Sequence, residues 1–159
     1  MDLSDDSTVP RQSEARSPVA KKVLVIDDSP VIVELVRHAI ELQGKYGVVV
    51  AYDGVEGLEQ YARERPDCVI VDVMMPRMNG FQFVRCLRGD SKTSHTPLII
   101  LTALASPEKE LTGYLSGVDE YLTKPFKPSV LWAALDRVLA VTDQQREERL
   151  QQLADGTAG

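Results

Sequence analysis

The chain predicts an α/β fold, a parallel sheet of five strands alternating with five helices. Three observations carry that prediction. Five short runs rich in Val, Ile and Leu alternate with five stretches whose apolar residues recur at helical spacing, the pattern of βα units joined by right-handed crossovers. The runs are continuously apolar rather than alternating, as strands covered on both faces are. Four of the five runs stop at residues able to do chemistry: Asp27-Asp28, Asp72, Thr102 and Lys124.

Residues 1–20 are polar, with Ser, Pro and mixed charge. They hold too little apolar area to offset chain entropy, so a flexible tail is expected. Lys22 to Asp27, KVLVID, is the first strand. Ser29-Pro30 follows as an N-cap with proline at the first helical position; Ile32, Leu35, Val36, Ala39 and Ile40 repeat at helical spacing, and Gly44 stops the helix. Tyr46 to Tyr52 is the second strand, closed by the turn signal Tyr52-Asp53-Gly54. Gly54 to Glu64 is the second helix, ended by Pro66.

Cys68 to Val71 is the third strand, buried on both faces and stopped by Asp72. Met74, Met75 and Pro76 follow, and Asn79-Gly80 turns into a third helix from about Phe81 to Arg88. Gly89 to Thr96 is a polar loop and Pro97 to Thr102 the fourth strand. Ser106-Pro107-Glu108 starts the fourth helix with a cap, a proline and an acidic first turn; Gly117 ends it. Asp119 to Thr123 is a short fifth strand, and Lys124-Pro125 turns the chain. The fifth helix begins near Pro128 and carries Leu131, Leu135, Val138 and Leu139. Residues 142–159 are charged and Gln-rich, with Leu150 and Leu153 continuing a sparse apolar spacing. They read as a helical extension or tail, and Gln144 to Leu153 as either an approach to a coiled-coil dimer or a solvated, fraying helix.

A length of 159 residues suits one domain with tails. A net charge of −6 argues against a nucleic-acid surface. Cys68 and Cys86 fall at apolar positions without CxxC or metal spacing, so buried free thiols in a reducing compartment are expected. No apolar run reaches spanning length and no signal-peptide pattern opens the chain, which reads as soluble and cytoplasmic, without a membrane partner.

In a parallel sheet all strand C-termini share one edge, where ligands bind at the point of strand-order reversal. Asp27, Asp28, Asp72, Thr102 and Lys124 would meet there. Three close carboxylates repel, and a divalent cation or protonation must relieve them. Oxygen ligands select Mg²⁺, with Mn²⁺ able to substitute, over zinc, and Mg²⁺ held by a couple of carboxylates is the usual partner of a phosphoryl group. A carboxylate can itself be the nucleophile and become an aspartyl phosphate, a reaction that needs positioning and charge neutralisation more than acid–base work.

Residues 22–140, about three quarters of the chain, resemble the receiver domain of two-component response regulators. The likeness rests on IDDS at 26–29, DVMMPRMNG at 72–80, LTA at 101–103 and TKPF at 123–126, in this order and at these separations. It implies a flavodoxin-like three-layer sandwich with strand order 2-1-3-4-5 and a receiver domain over 21–141. It implies that Asp72 accepts a phosphoryl group from a sensor histidine kinase or a histidine phosphotransfer protein. Asp28 and Asp72 would bind Mg²⁺ through their carboxylates and Met74 through its backbone carbonyl, while Asp27 would hold metal-bound water. Lys124 would pair with Asp72 and then with the phosphate, its peptide to Pro125 being cis. Thr102 would move to bond the phosphate, Tyr121 would fill the vacated space, and small Ala103 would leave the path open. Such a chain is a signalling phosphoacceptor rather than an enzyme, apart from its own phosphorylation and dephosphorylation chemistry. A homodimer through the fourth helix, fifth strand and fifth helix is also implied.

Two other readings compete with this one. A haloacid-dehalogenase-type phosphatase carries D-x-D at its first strand, whereas the aspartates here are adjacent and the acceptor is on the third strand. A pseudo-receiver that binds partners without phosphorylation is the alternative, and the intact acidic set argues against it. His38 and His95 receive no catalytic role.

Overall fold

The computed structural model describes residues 20–104, 106–140 and 143–158. The expected flexible tail therefore lies, except for Ala20, outside the described residues. The strands are β1 (Lys22–Ile26), β2 (Gly47–Ala51), β3 (Cys68–Val71), β4 (Leu98–Thr102) and β5 (Glu120–Thr123). The helices are α1 (Pro30–Gln43), α2 (Gly54–Glu64), α3 (Gly80–Arg88), α4 (Pro107–Ser116), α5 (Pro128–Ala140) and α6 (Asp143–Ala158). The sheet is parallel throughout, in the order β2-β1-β3-β4-β5. A sixth helix thus follows the five of the sandwich, within the stretch expected to be an extension or tail.

Alternation along each strand divides the core in two. Leu24, Ile26, Val69, Val71, Leu98 and Ile100 face one side and pack with Phe81, Phe83, Val84 and Leu87 of α3 and with Leu58 and Tyr61 of α2. Val23, Val25, Cys68, Ile70, Ile99 and Leu101 face the other and meet Val36, Ala39 and Ile40 of α1 and Leu131, Ala134, Leu135 and Val138 of α5. The Trp132 indole donates to the Ala39 carbonyl at 2.7 Å and ties α5 to α1. Both faces of the central strands are covered, which is why their sequences are unbroken apolar runs.

Local chemistry sets the helix ends. The Ser29 hydroxyl accepts from Ile32 N at α1, with Pro30 in the first turn, and Gly44 closes the helix at φ 77°. Ser106 and Pro107 start α4 in the same way, and Gly117 ends it at φ 110°. Asn79 and Gln82 form a reciprocal capping box at α3. Helix α2 closes on Arg65 at φ 48°, a left-handed cap on a non-glycine residue, just before Pro66.

Cys86 corrects the expectation of two buried thiols. Cys68 is buried in β3, but Cys86 is exposed. The apolar face of α3 runs through Phe81, Phe83, Val84 and Leu87, and position 86 falls outside that arc. Among the described residues no helix is long and apolar enough to cross a membrane.

Candidate functional site

Register brings the first two carboxylates together. Ile26 pairs with Val71 in the parallel β1–β3 ladder, and Asp72 N donates to the Ile26 carbonyl at 3.0 Å. Asp27 and Asp72 are the next residues of their strands and lie side by side, both buried. Asp28 follows on the exposed side, and carboxylate oxygens of Asp27, Asp28 and Asp72 all lie within 4.8 Å of one another.

The other two strand ends are set the same way. Thr102 pairs with Thr123 in the β4–β5 ladder, and Lys124 N donates to the Thr102 carbonyl at 2.8 Å. The Lys124–Pro125 peptide is cis. Lys124 Nζ reaches Asp27 Oδ2 at 2.7 Å and Asp72 Oδ2 at 3.3 Å. The ammonium therefore bridges two carboxylates, and the shorter contact goes to Asp27.

Burial pushes the Asp27 carboxyl up and the charge of Asp72 adds to it, although the Lys124 ammonium and the Ser29 amide pull the other way. Burial disfavours the Lys124 ammonium, but its bond to Asp27 and the charges of Asp72 and Asp27 outweigh this and hold its pKa above the ordinary lysine value. Asp27 Oδ1 accepts from Ser29 N at 2.9 Å and Asp72 Oδ1 from Met74 N at 3.3 Å, which orients both carboxylates.

The loop after β3 closes tightly over this edge. A Cβ on Gly80 would lie 2.4 Å from the Asp72 carbonyl oxygen, so only glycine permits the approach. Gly80 N donates to the Val73 carbonyl at 3.0 Å. Arg77, at φ 69°, pairs with Asp53 Oδ2 at 3.1 Å and ties the loop to the cap of α2. Met74 is exposed beside the cluster, while Met75 is buried.

Thr102 is fully buried and its Oγ1 accepts from Leu104 N at 3.3 Å. Tyr121 is buried too, its ring tucked under α4, and its hydroxyl donates to the Leu104 carbonyl at 2.8 Å. Ala103 is exposed between them. Asp27, Asp28, Asp72 and Lys124 thus meet at one point, Thr102 ends the neighbouring strand, and Tyr121 lies one step further out. Sequence reasoning missed Leu104, whose two backbone groups join Thr102 to Tyr121, and missed the Arg77–Asp53 tie. Nothing in the residue types announces a backbone link, and an Arg 24 residues past an Asp carries no pattern of its own.

The family model for the response regulator receiver domain matches residues 23–136. The DNA-binding dual master transcriptional regulator RpaA of Synechocystis is 37% identical over 77% of this chain and 51% of its own length. The response regulator MprA of Mycobacterium tuberculosis is 39% identical over 76% of this chain and 51% of its own length. This chain spans about half the length of the curated relatives it matches. Among solved structures, the Vibrio cholerae chemotaxis protein CheY4 is similar at TM-score 0.70 and 42% identity, over 76% of this chain and 99% of that one. The receiver domain of the Pseudomonas aeruginosa sensor histidine kinase PA1611, described with a magnesium ion coordinated in its active-site cleft, is similar at TM-score 0.70 and 27% identity, over 77% of this chain and 100% of that one. A sheet in the order 2-1-3-4-5 with an acidic cluster at its carboxyl edge, and a family match over most of the chain, make this a member of the response regulator receiver domain family of two-component systems.

Proposed function

We propose that Asp72 accepts a phosphoryl group from a sensor histidine kinase or a histidine phosphotransfer protein, in a Mg²⁺-dependent reaction, and that the loaded domain presents an altered surface to a partner. The observation that carries this reading is Lys124 Nζ bridging Asp27 and Asp72 inside a carboxylate trio at the carboxyl edge of the sheet.

The donor set fits a hard divalent cation. Three carboxylates offer oxygens within 4.8 Å, and burial together with like charge already pushes Asp27 up, a tension that a cation relieves. Asp28 and Asp72 would ligate it, with the Met74 carbonyl, and Asp27 would hold a bound water. When bound, it neutralises charge on the phosphoryl oxygens.

The chain's residues supply the rest. An Asp72 carboxylate oxygen attacks phosphorus; the O–P bond forms as the N–P bond of the donor phosphoimidazole breaks, and the imidazole leaves carrying a proton from solvent. Lys124, held above the ordinary lysine pKa, stays charged at neutral pH and turns from Asp72 towards the transferred group. The Thr102 hydroxyl donates to a phosphoryl oxygen, and exposed Ala103 leaves the approach open. Motion of Thr102 reaches Tyr121 through Leu104. The net charge of −6 supports a protein partner rather than contact of this chain with nucleic acid, and a cytoplasmic setting suits such a donor.

Acetyl phosphate with Mg²⁺ provides the test. The wild-type chain is expected to gain one phosphoryl group by mass, and Asp72→Asn none. Stoichiometric label on Asp72→Asn overturns the reading.

A further inference from the structure

Helix α6 is the part of the fold that the site chemistry does not use. It is not apolar enough to stand as a core element, yet it shares a cleft with α4. Leu153 and Ala154 of α6 face Tyr114, Leu115 and Gly117 across a cleft of about 390 Å³, with Arg88 of α3 at its end. Leu111, Tyr114 and Leu115 stand at i, i+3 and i+4 of α4, one continuous apolar stripe, and all three are exposed. Helix α6 stands beside one end of it.

That end of α4 is linked to the site through contacts already described. Thr102 Oγ1 accepts from Leu104 N at 3.3 Å, and the Leu104 carbonyl accepts from the Tyr121 hydroxyl at 2.8 Å. The Tyr121 ring packs on α4 so closely that a Cβ on Gly113 would lie 2.7 Å from it. Tyr114 and Leu115, the next two residues, form the wall that faces Leu153. The end of α4 is also pinned from behind, since Arg88 Nε donates to the Gly117 carbonyl at 2.9 Å. Drawing the Thr102 hydroxyl towards a group on Asp72 disturbs the first link. A ring with no slack against Gly113 passes that disturbance to α4 rather than absorbing it.

We propose that α6 is a latch in cis: it stands at the end of the α4 stripe in the unphosphorylated chain, and phosphorylation of Asp72 loosens it and frees that end. This rests on the reading of Asp72 as the phosphoacceptor. The weakness of the contact is what suits it to switching. Leu153 stays 53% exposed and Leu115 68% exposed, so little apolar area holds the helix down. A docked state of such small stability shifts under a coupling of about 5–150-fold, the range ordinary between linked sites.

The test uses the full chain with Leu115→Cys and Leu153→Cys in a Cys86→Ser background, since Cys86 is exposed and Cys68 is buried. Intramolecular disulfide formation is followed on non-reducing gels under mild oxidation. Label on Asp72 is measured in parallel by mass after acetyl phosphate and Mg²⁺, the phosphoryl group passing to Asp72 as acetate leaves. The unlabelled chain is expected to close the disulfide as a monomer, and the labelled chain to close it at least about fivefold more slowly. Adding Asp72→Asn should remove the effect of acetyl phosphate. A labelled chain that cross-links at the unlabelled rate overturns the latch and leaves the phosphoacceptor reading intact. Failure of the unlabelled chain to form the monomeric disulfide overturns the docked helix itself. Failure to label at all overturns both.

Discussion

Lys124 donates to Asp27 at 2.7 Å and to Asp72 at 3.3 Å, so the charge balance of the site turns on one ammonium. Lys124→Met leaves two buried carboxylates facing each other. Labelling by acetyl phosphate is expected to slow by about tenfold or more, the loss of one charge-assisted donor at a developing anion, while far-UV circular dichroism stays native. Unchanged labelling kinetics would remove Lys124 from the reaction. At the opposite edge of the sheet, Asp136 accepts from the Tyr46 hydroxyl at 2.7 Å, from Lys45 at 3.3 Å and from Gln43. The Tyr46 hydroxyl, with Lys45 and Gln43, holds the Asp136 carboxyl below the usual aspartate range against a smaller opposing effect of burial. A depressed folded-state pKa contributes stability that is present above the unfolded value and lost as pH falls through the folded one. Urea unfolding of wild type and Asp136→Asn should therefore differ at pH 7, and the gap should narrow below about pH 4. A gap independent of pH would show that hydrogen bonding, not charge, holds this corner. No local pattern marks this corner, because the partners of Asp136 come from α1 and the turn before β2, 90 or more positions away.

At the scale of elements, the β3–α3 loop decides whether the site is assembled. Gly80→Ala would place a methyl group 2.4 Å from the Asp72 carbonyl oxygen, a backbone atom that cannot step aside. The loop must open, with an expected loss of about 1–3 kcal/mol in urea titration and a matching loss of label, since the displaced backbone belongs to the proposed acceptor itself. Native stability in that variant would mean the loop is laxer than its contacts imply. Asn79→Ala removes the side-chain half of the capping box at α3, while the backbone N–H of residue 79 can still donate to Gln82 Oε1; it is expected to lower stability by about 1 kcal/mol, with labelling retained because the cap touches no charged member of the site. These boundaries were readable beforehand, since Asn79-Gly80, Ser29-Pro30 and Ser106-Pro107 act within one turn of the chain. Cys86 was not, since an apolar position on a helix declares its face only when neighbours on both sides are known.

On the scale of the molecule, three carboxylates gathered at one edge should make the fold sensitive to divalent cations. Millimolar Mg²⁺ is expected to raise Tm, by as much as about 2.7 kcal/mol in stability at a hundredfold excess over Kd, and Asp28→Ala to abolish the shift. An equal shift in Asp28→Ala would place the cation elsewhere. The sheet permits this gathering because parallel strands in register end together, and it stabilises it because two apolar layers cover both faces. Residue order alone determined the alternation of strands and helices, the caps, and the set of strand ends that carry charge or hydroxyl, since each is a matter of neighbours within a turn or of apolar period. Only the folded chain decided that Lys124 sits closer to Asp27 than to Asp72, that Leu104 joins Thr102 to Tyr121, and that α6 and α4 line one cleft. Those are distances between groups remote in sequence, and they follow from register and packing, which no local pattern encodes.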